Sequence, residues 1–203
     1  MRVGLYGGTF APLHNGHLAA AFTFYDECRL DKLILIPSRI PPHKDQIPSD
    51  DPTDRFRMLL GSVREYRKEK NISVSKYEIG REEVSYSYYT LKHFQKKTDE
   101  LFFLCGTDML LTLDKWYRAE ELFSLCTFVC AEREENREKR QEILRKKEEY
   151  EKRFSASILL LDHQPLEISS TQIREMIGKG EDISSLVPPF VCRYIQKHGL
   201  YQK

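Results

Sequence analysis

The chain alternates between two kinds of segment, and that alternation restricts its fold more than any other feature. Short apolar runs at Val3–Tyr6, Leu33–Ile36, Ile72–Tyr77, Leu101–Cys105, Thr127–Ala131 and Ser157–Leu161 alternate with longer amphipathic stretches. The stretches are Gly16–Arg29, Pro52–Lys70, Ser85–Lys97, Trp116–Leu125, Glu134–Arg153, Thr171–Gly178 and Leu186–His198. Several of the runs are nearly continuous, as expected for parallel strands covered on both faces. Strand and helix in succession predict an α/β fold, an open, doubly wound, mainly parallel sheet with a small C-terminal helical part over 169–203. A chain of 203 residues buries roughly 70% of its unfolded surface, so it needs no disulfide or metal staple. We read 1–203 as a single domain, with 132–153 as a charged helical excursion.

Several boundaries carry a physical signal. Asp51 before Pro52 reads as an N-cap with proline at the first helical position. Ser169 followed by Gln172 fits a capping box. Prolines 37, 41, 42 and 48 make 37–48 a loop. The charged segment interleaves both signs, so it reads as a solvated helix laced with i,i+4 pairs, docked by a sparse stripe of Ile143, Tyr150 and Phe154.

Composition excludes several functions. Lys+Arg 32 against Asp+Glu 31 leaves a net charge of +1, with no overall field drawing the chain to nucleic acid or an anionic membrane. Five widely spaced cysteines without C-x-x-C favour a reducing compartment, and Cys126 and Cys130 read as buried filler rather than zinc ligands. The longest apolar runs are far too short to span a bilayer, and the first residues hold no signal-peptide core. The expectation is a cytoplasmic protein without a membrane or nucleic-acid partner.

The most informative stretch runs from Gly4 to His17, after one predicted strand and into a predicted helix. α/β sheets bind phosphates at such junctions. Gly7 and Gly8 allow backbone N–H groups to approach a phosphate closely. His14 and His17 lie three apart, share one helix face and both suit phosphate oxygens. Gly16 removes a side chain where a nucleotide would press on the helix. The stretch is neither G-x-x-x-x-G-K-[ST] nor G-x-G-x-x-G, so neither a Walker loop nor a dinucleotide redox cofactor is indicated. A second junction, Ile168-Ser169-Ser170-Thr171-Gln172-Ile173-Arg174, combines helix N–H groups, hydroxyls and a guanidinium into another anion site.

Gly7-Gly8-Thr9-Phe10-x-Pro12-x-His14-x-Gly16-His17 resembles the H-x-G-H signature of the nucleotidyltransferase superfamily. In its fuller form it is similar to the bacterial nicotinate-nucleotide adenylyltransferases, which share the I-S-S-T-x-I-R segment. The resemblance implies a Rossmann-like fold. It also implies an ATP site made of Gly7, Gly8, Thr9, Phe10, His14, Gly16, His17, Ile168, Ser170, Thr171 and Arg174, with His14, His17 and Arg174 catalytic.

Four further segments concern the acceptor. Lys44, in Pro41-Pro42-His43-Lys44, is within reach of a phosphate, and the family carries a similar P-P-H-K. Asp108, just past Gly106, suits a ribose hydroxyl or a helix N-cap; the family has G-A-D where this chain has Gly106-Thr107-Asp108. Trp116, the single tryptophan, stands at the start of a predicted helix, and the family places a tryptophan there to stack on the nicotinate ring. Ser85–Leu91 resembles S-Y-T-x-x-T-L, with Ser87 in place of a threonine and Thr90 retained. Arg133 matches a family arginine after the fifth strand.

The resemblance thus implies transfer of AMP from ATP to nicotinate mononucleotide, with pyrophosphate released and Mg²⁺ accompanying ATP. No carboxylate cage for a protein-held metal is visible. Homo-oligomerisation is left open. The rivals are an H-x-G-H enzyme using nicotinamide mononucleotide or phosphopantetheine, and a non-catalytic nucleotide-binding module.

Overall fold

The computed structural model describes residues 1–42, 51–66, 69–96, 98–131, 137–161 and 166–202. The six apolar runs become the strands β1 (Arg2–Gly8), β2 (Lys32–Pro37), β3 (Ile72–Val74), β4 (Glu100–Gly106), β5 (Thr127–Ala131) and β6 (Ser157–Leu161). They form one sheet in the order β3-β2-β1-β4-β5-β6. β1 pairs in parallel with β4, which sets Tyr6 opposite Leu104, and β4 with β5, which sets Cys105 opposite Cys130. β5 pairs in parallel with β6. The strand order turns back between β1 and β4, the place where open α/β sheets bind ligands beyond the strands' carboxyl ends. Gly7-Gly8 and Gly106 stand at those two ends.

The long helices are α1 (Asn15–Glu27), α2 (Pro52–Tyr66), α3 (Ser87–Gln95), α6 (Arg137–Phe154), α7 (Ser170–Gly178) and α8 (Pro189–His198). Two one-turn helices, α4 (Thr107–Leu110) and α5 (Ala119–Leu122), and a 3-10 turn at Leu113–Lys115 occupy the stretch between β4 and β5. The sequence reading expected one helix from Trp116 to Leu125. Arg118, in the left-handed conformation (φ 56°), keeps Trp116 and Tyr117 out of any helix and starts α5 late. β3 also stops at Val74 rather than Tyr77. Asp51 caps α2 as expected, its Oδ1 accepting the Thr53 N–H at 2.7 Å. Ser169 caps α7, its Oγ accepting the Gln172 N–H at 3.1 Å. Among the described residues no helix is long and apolar enough to cross a membrane.

The chain divides into two compact units. One comprises Met1–Gly7, Ala20–Leu33 and Tyr86–Pro165. Its core joins Leu5, Phe24, Leu30, Phe103 and Phe128. A Cβ on Gly4 would lie 2.3 Å from Leu30 Cδ1, so only glycine lets β1 lie this close to Leu30. The other unit comprises Gly8–Ala19, Ile34–Ser85 and Leu166–Lys203. Its core includes Phe10, Leu35, Met58, Leu59, Ile173, Val191 and Ile195. There α2 packs on α8, and the Tyr194 hydroxyl donates to Asp54 Oδ1 at 2.7 Å.

At Gly61 the ring of Phe190 from α8 lies against α2. An added Cβ would lie 2.1 Å from Phe190 Cε1. Overpacking of this kind costs ~1–3 kcal/mol, partly offset by alanine's better helix propensity. Gly61→Ala is expected to lower Tm by about 3–6 °C in calorimetry. An unchanged Tm would mean that the Phe190 ring yields freely.

Candidate functional site

The phosphate candidates other than Gly7 belong to the second unit, around the loop that leads from β1 into α1. His14 is the N-cap of α1 and His17 its third residue. The His14 Nδ1 accepts the His17 N–H, and the His17 Nδ1 accepts the His14 N–H, both at 3.3 Å. This is the reciprocal geometry of a capping box, built from two imidazoles instead of a hydroxyl and a carboxylate. The rings stack with centroids 3.6 Å apart. Because each Nδ1 is an acceptor, the neutral rings carry their proton on Nε2. Two N–H donors are thereby set side by side at a helix N-terminus, where the dipole favours an anion. His14 is 3% exposed.

Phe10 braces the pair. Its ring meets that of His17 edge-on at 5.1 Å, and it is fully buried although its φ is 52°. A bulky residue in that region costs of order 1–3 kcal/mol and persists where the surroundings over-determine it. A Cβ on Gly8 would come within 2.9 Å of the Phe10 ring. Gly16 lies against the cap. An added Cβ there would first meet His14 Nδ1 at 3.1 Å and Leu166 O at 3.4 Å, so its smallness serves the histidine cap.

The second anion motif closes on the same loop. Ser170 Oγ donates to Pro12 O at 2.9 Å. Arg174 donates through Nη1 to Ala11 O at 2.7 Å and through Nη2 to Thr171 Oγ1 at 3.1 Å. The first turn of α7 is thereby tied to the residues just before His14. Ile168 is half-buried and donates its N–H to Leu166 O.

One residue at this site escaped the sequence reading. Arg55 of α2 is 2% exposed. Its Nη1 donates to Thr9 O at 2.8 Å and to Ser38 O at 2.6 Å, and its Nη2 to Arg39 O at 3.4 Å. It fastens the glycine loop to the segment leaving β2, where the Ser38 N–H also donates to Gly8 O at 2.9 Å. The available signal was its register, since Arg55 shares a face with Met58, Leu59 and Ser62, all buried.

The described acceptor candidates lie in the first unit. Two of their segments meet through tyrosines. Tyr86 stacks on Tyr117 at 4.7 Å, and the Tyr89 and Tyr117 hydroxyls are 3.2 Å apart. The Tyr88 hydroxyl donates to Glu121 Oε2 at 2.8 Å, and Arg118 binds Oε1 of the same carboxylate at 2.6 Å. The Tyr88 hydrogen bond first, and then the Arg118 charge, hold Glu121 below the ordinary carboxylate pKa. Ser87 opens α3, the preceding Tyr86 supplies no side-chain cap, and the Tyr89 N–H donates to Tyr86 O at 3.1 Å, so that only the two N–H groups before it lack a cap. Trp116 is half-buried and meets Phe103 edge-on at 6.4 Å. A Cβ on Gly106 would meet nothing within 4 Å, so the end of β4 is open to close approach.

The N-cap reading of Asp108 needs correction, and two candidates fall outside the description. Thr90 is 2% exposed. Asp108 is not a helix N-cap. Gly106 holds that position, and the Asp108 side chain is 91% exposed with its Oδ1 3.4 Å from Lys139 Nζ. Lys44 and Arg133 lie outside the described residues.

The cytidylyltransferase-like family model matches residues 5–176. A curated relative from Clostridium botulinum, named "Probable nicotinate-nucleotide adenylyltransferase", is 38% identical over 202 residues, covering 100% of this chain and 98% of its own. One of the same name from Clostridium novyi is 39% identical over 201 residues, covering 98% of each chain. The solved Plasmodium falciparum nicotinic acid mononucleotide adenylyltransferase, in complex with NaAD, superposes with a TM-score of 0.75. It covers 98% of this chain and 97% of its own at 20% identity, which establishes the shared fold.

Arg55→Met would strip one buried and two part-buried carbonyls of their donor, at a cost of about 3 kcal/mol. Urea unfolding is expected to show that loss, with Arg55→Lys intermediate because an ammonium lacks the planar fork. An unchanged midpoint in Arg55→Met would contradict the role of Arg55 as the fastener of the loop.

Proposed function

The chain belongs to the cytidylyltransferase-like family, beside the nicotinate-nucleotide adenylyltransferases, and from that premise we propose that it joins ATP to nicotinate mononucleotide. The reaction forms nicotinate adenine dinucleotide and pyrophosphate, a late step of NAD biosynthesis. An oxygen of the mononucleotide phosphate attacks the α-phosphorus of ATP. The bond from that phosphorus to the bridging oxygen of the β-phosphate breaks, and pyrophosphate leaves with the electron pair. Both nucleophile and leaving group are already anions, so the protein's task is placement and charge neutralisation.

The observation that carries this reading is the double helix-start site. α1 and α7 both begin at the loop 10–14, one with two capping imidazoles and the other with Ser170, Thr171 and Arg174. In this reading Nε2–H of His14 and His17 donates to the phosphates as charge develops. Arg174 exchanges its carbonyl partner for a phosphate oxygen. Gly7, Gly8 and Thr9 contribute backbone donors, and Phe10, Gly16 and Ile168 shape the ATP site. Mg²⁺ enters as the counter-ion of ATP and belongs to that substrate. Among the described residues no three His, Cys, Asp or Glu side chains stand together as a ligand set, and no step here is routed through a protein-held ion.

For the acceptor, Trp116 stacks on the pyridine and Asp108 meets the ribose. Gly106 admits the mononucleotide close to the backbone, where a Cβ would find empty space. The open first turn of α3, at Ser87, suits the nicotinate carboxylate through N–H groups and dipole. Thr90 supports that turn from within, and Lys44 and Arg133 serve phosphates. The full-length match to the relatives favours one nucleotidyltransferase domain over 1–203. Its unpaired cysteines suit the cytoplasm.

The test is pyrophosphate release with MgATP and either nicotinate or nicotinamide mononucleotide. A site that reads a carboxylate through helix-start N–H groups should favour the acid by at least ~10-fold in kcat/KM. Equal rates would remove the carboxylate assignment at α3. Release with neither would overturn the proposed reaction.

A further inference from the structure

Helix α6 has no part in the chemistry above, and most of its surface is charged and solvated. One face is not. Lys139, Ile143, Lys146, Tyr150 and Phe154 are spaced three or four apart and share that face. Ile143 and Tyr150 are fully buried. The ring of Phe123 lies 4.9 Å from that of Tyr150 and stacks on Phe154 at 4.7 Å. The helix is therefore docked by apolar packing, and its polar residues on that face have fixed targets.

Those targets lie in one stretch, the one that carries the acceptor candidates. Lys139 pairs with Asp108 at 3.4 Å. That pair is exposed and contributes little. Asp114 is held much more closely. Its Oδ1 accepts the Tyr150 hydroxyl at 2.9 Å, and its Oδ2 lies 3.3 Å from Lys146 Nζ. Both carboxylate oxygens are thus occupied by α6. Burial pushes the Asp114 carboxyl up, but the hydrogen bonds from Tyr150 and Lys146, with the lysine charge, outweigh it and keep the group below the ordinary carboxylate range. Burial keeps the Tyr150 phenol protonated, as a donor must be.

Asp114 is the middle residue of the 3-10 turn Leu113–Lys115. Trp116 follows at once, in extended backbone, its N–H donating to Leu113 O at 3.1 Å. Leu113 is fully buried on one side of the turn, and Asp114 is gripped on the other. With Arg118 in the left-handed conformation two residues on, the turn is the element that sets where the indole stands.

We infer that Asp114 is a positioning residue for acceptor binding: the Tyr150 and Lys146 contacts from α6 hold the turn that presents Trp116 to the pyridine mononucleotide. This rests on the assignment of Trp116 to the pyridine ring. Under it, the charged helix is a brace for substrate recognition, built from Tyr150 and Lys146 on its docked face.

Trp116 is the single tryptophan, so its fluorescence reports the turn without any substrate. The experiment uses the full chain with Tyr150→Phe, which keeps the ring and removes the donor, and with Asp114→Asn, which keeps the shape and removes the charge. Ile143→Val, a packing change on the same face, is the control. In both polar variants the KM for nicotinate mononucleotide should rise about five- to tenfold, with kcat and the ATP KM within about twofold. Acrylamide quenching of the substrate-free Trp116 should change in both. The control should lose a little stability and leave both readouts in place. Unchanged quenching together with equal shifts of the two KM values, or none, would overturn the inference and leave Asp114 a purely structural acceptor. If the wild type releases no pyrophosphate with this acceptor, the proposed reaction has failed, while quenching still decides whether α6 positions the indole.

Discussion

The candidate phosphate site depends on how the start of α1 satisfies its own backbone. The first N–H groups of a helix lack the usual i−4 carbonyl, and here the imidazoles of His14 and His17 each reach the other's amide, the His17 N–H being shared with His14 O at 3.0 Å. A spacing of three is what such reciprocal capping requires. The two histidines of H-x-G-H are therefore held in place by the helix that they open. The same bonds use each Nδ1 as an acceptor, which leaves Nε2 to carry the proton of a neutral ring. Other features follow from that arrangement. Gly16 stays small because the His14 ring lies against it, and Phe10 accepts an uncommon backbone conformation while its ring braces His17. Ser170 and Arg174 grip the carbonyls that lead into the cap.

Much of this was legible in the sequence. Apolar runs marked all six strands, because strands covered on both faces leave little room for polar residues. The caps at Asp51 and Ser169 were legible because capping is local chemistry. The stripe of Ile143, Tyr150 and Phe154 was legible because helical spacing puts those residues on one face. What was missed depends on contacts between distant parts of the chain. Arg55 reads as one more charge in an amphipathic helix until the carbonyls of Thr9, Ser38 and Arg39 are placed around it. Trp116 was expected in a helix, and nothing in propensity announces the left-handed Arg118 that delays α5. Asp108 has the residue type of a cap but sits two residues past the cap position, which Gly106 holds.

The acceptor side shows a similar division of labour. The residues that would touch the mononucleotide lie on short turns and helix starts, which have little intrinsic stability of their own. Longer elements hold them. α3 and α5 are joined through Tyr88, Glu121 and Arg118, and α6 grips the turn before Trp116. The family relationship accounts for the motifs. The packing accounts for why residues so far apart in the chain support the same short turns.

The most direct test of this account separates capping from catalysis at the histidines. The double substitution His14→Ser with His17→Glu installs the ordinary capping box and removes both imidazoles. The account predicts a Tm within a few degrees of wild type, because the α1 amides keep acceptors, and a kcat for adenylyl transfer lower by ~100-fold or more, because the Nε2–H donors are gone. A variant that folds and turns over at nearly the wild-type rate would contradict it, and would leave the histidine pair a helix cap and nothing more.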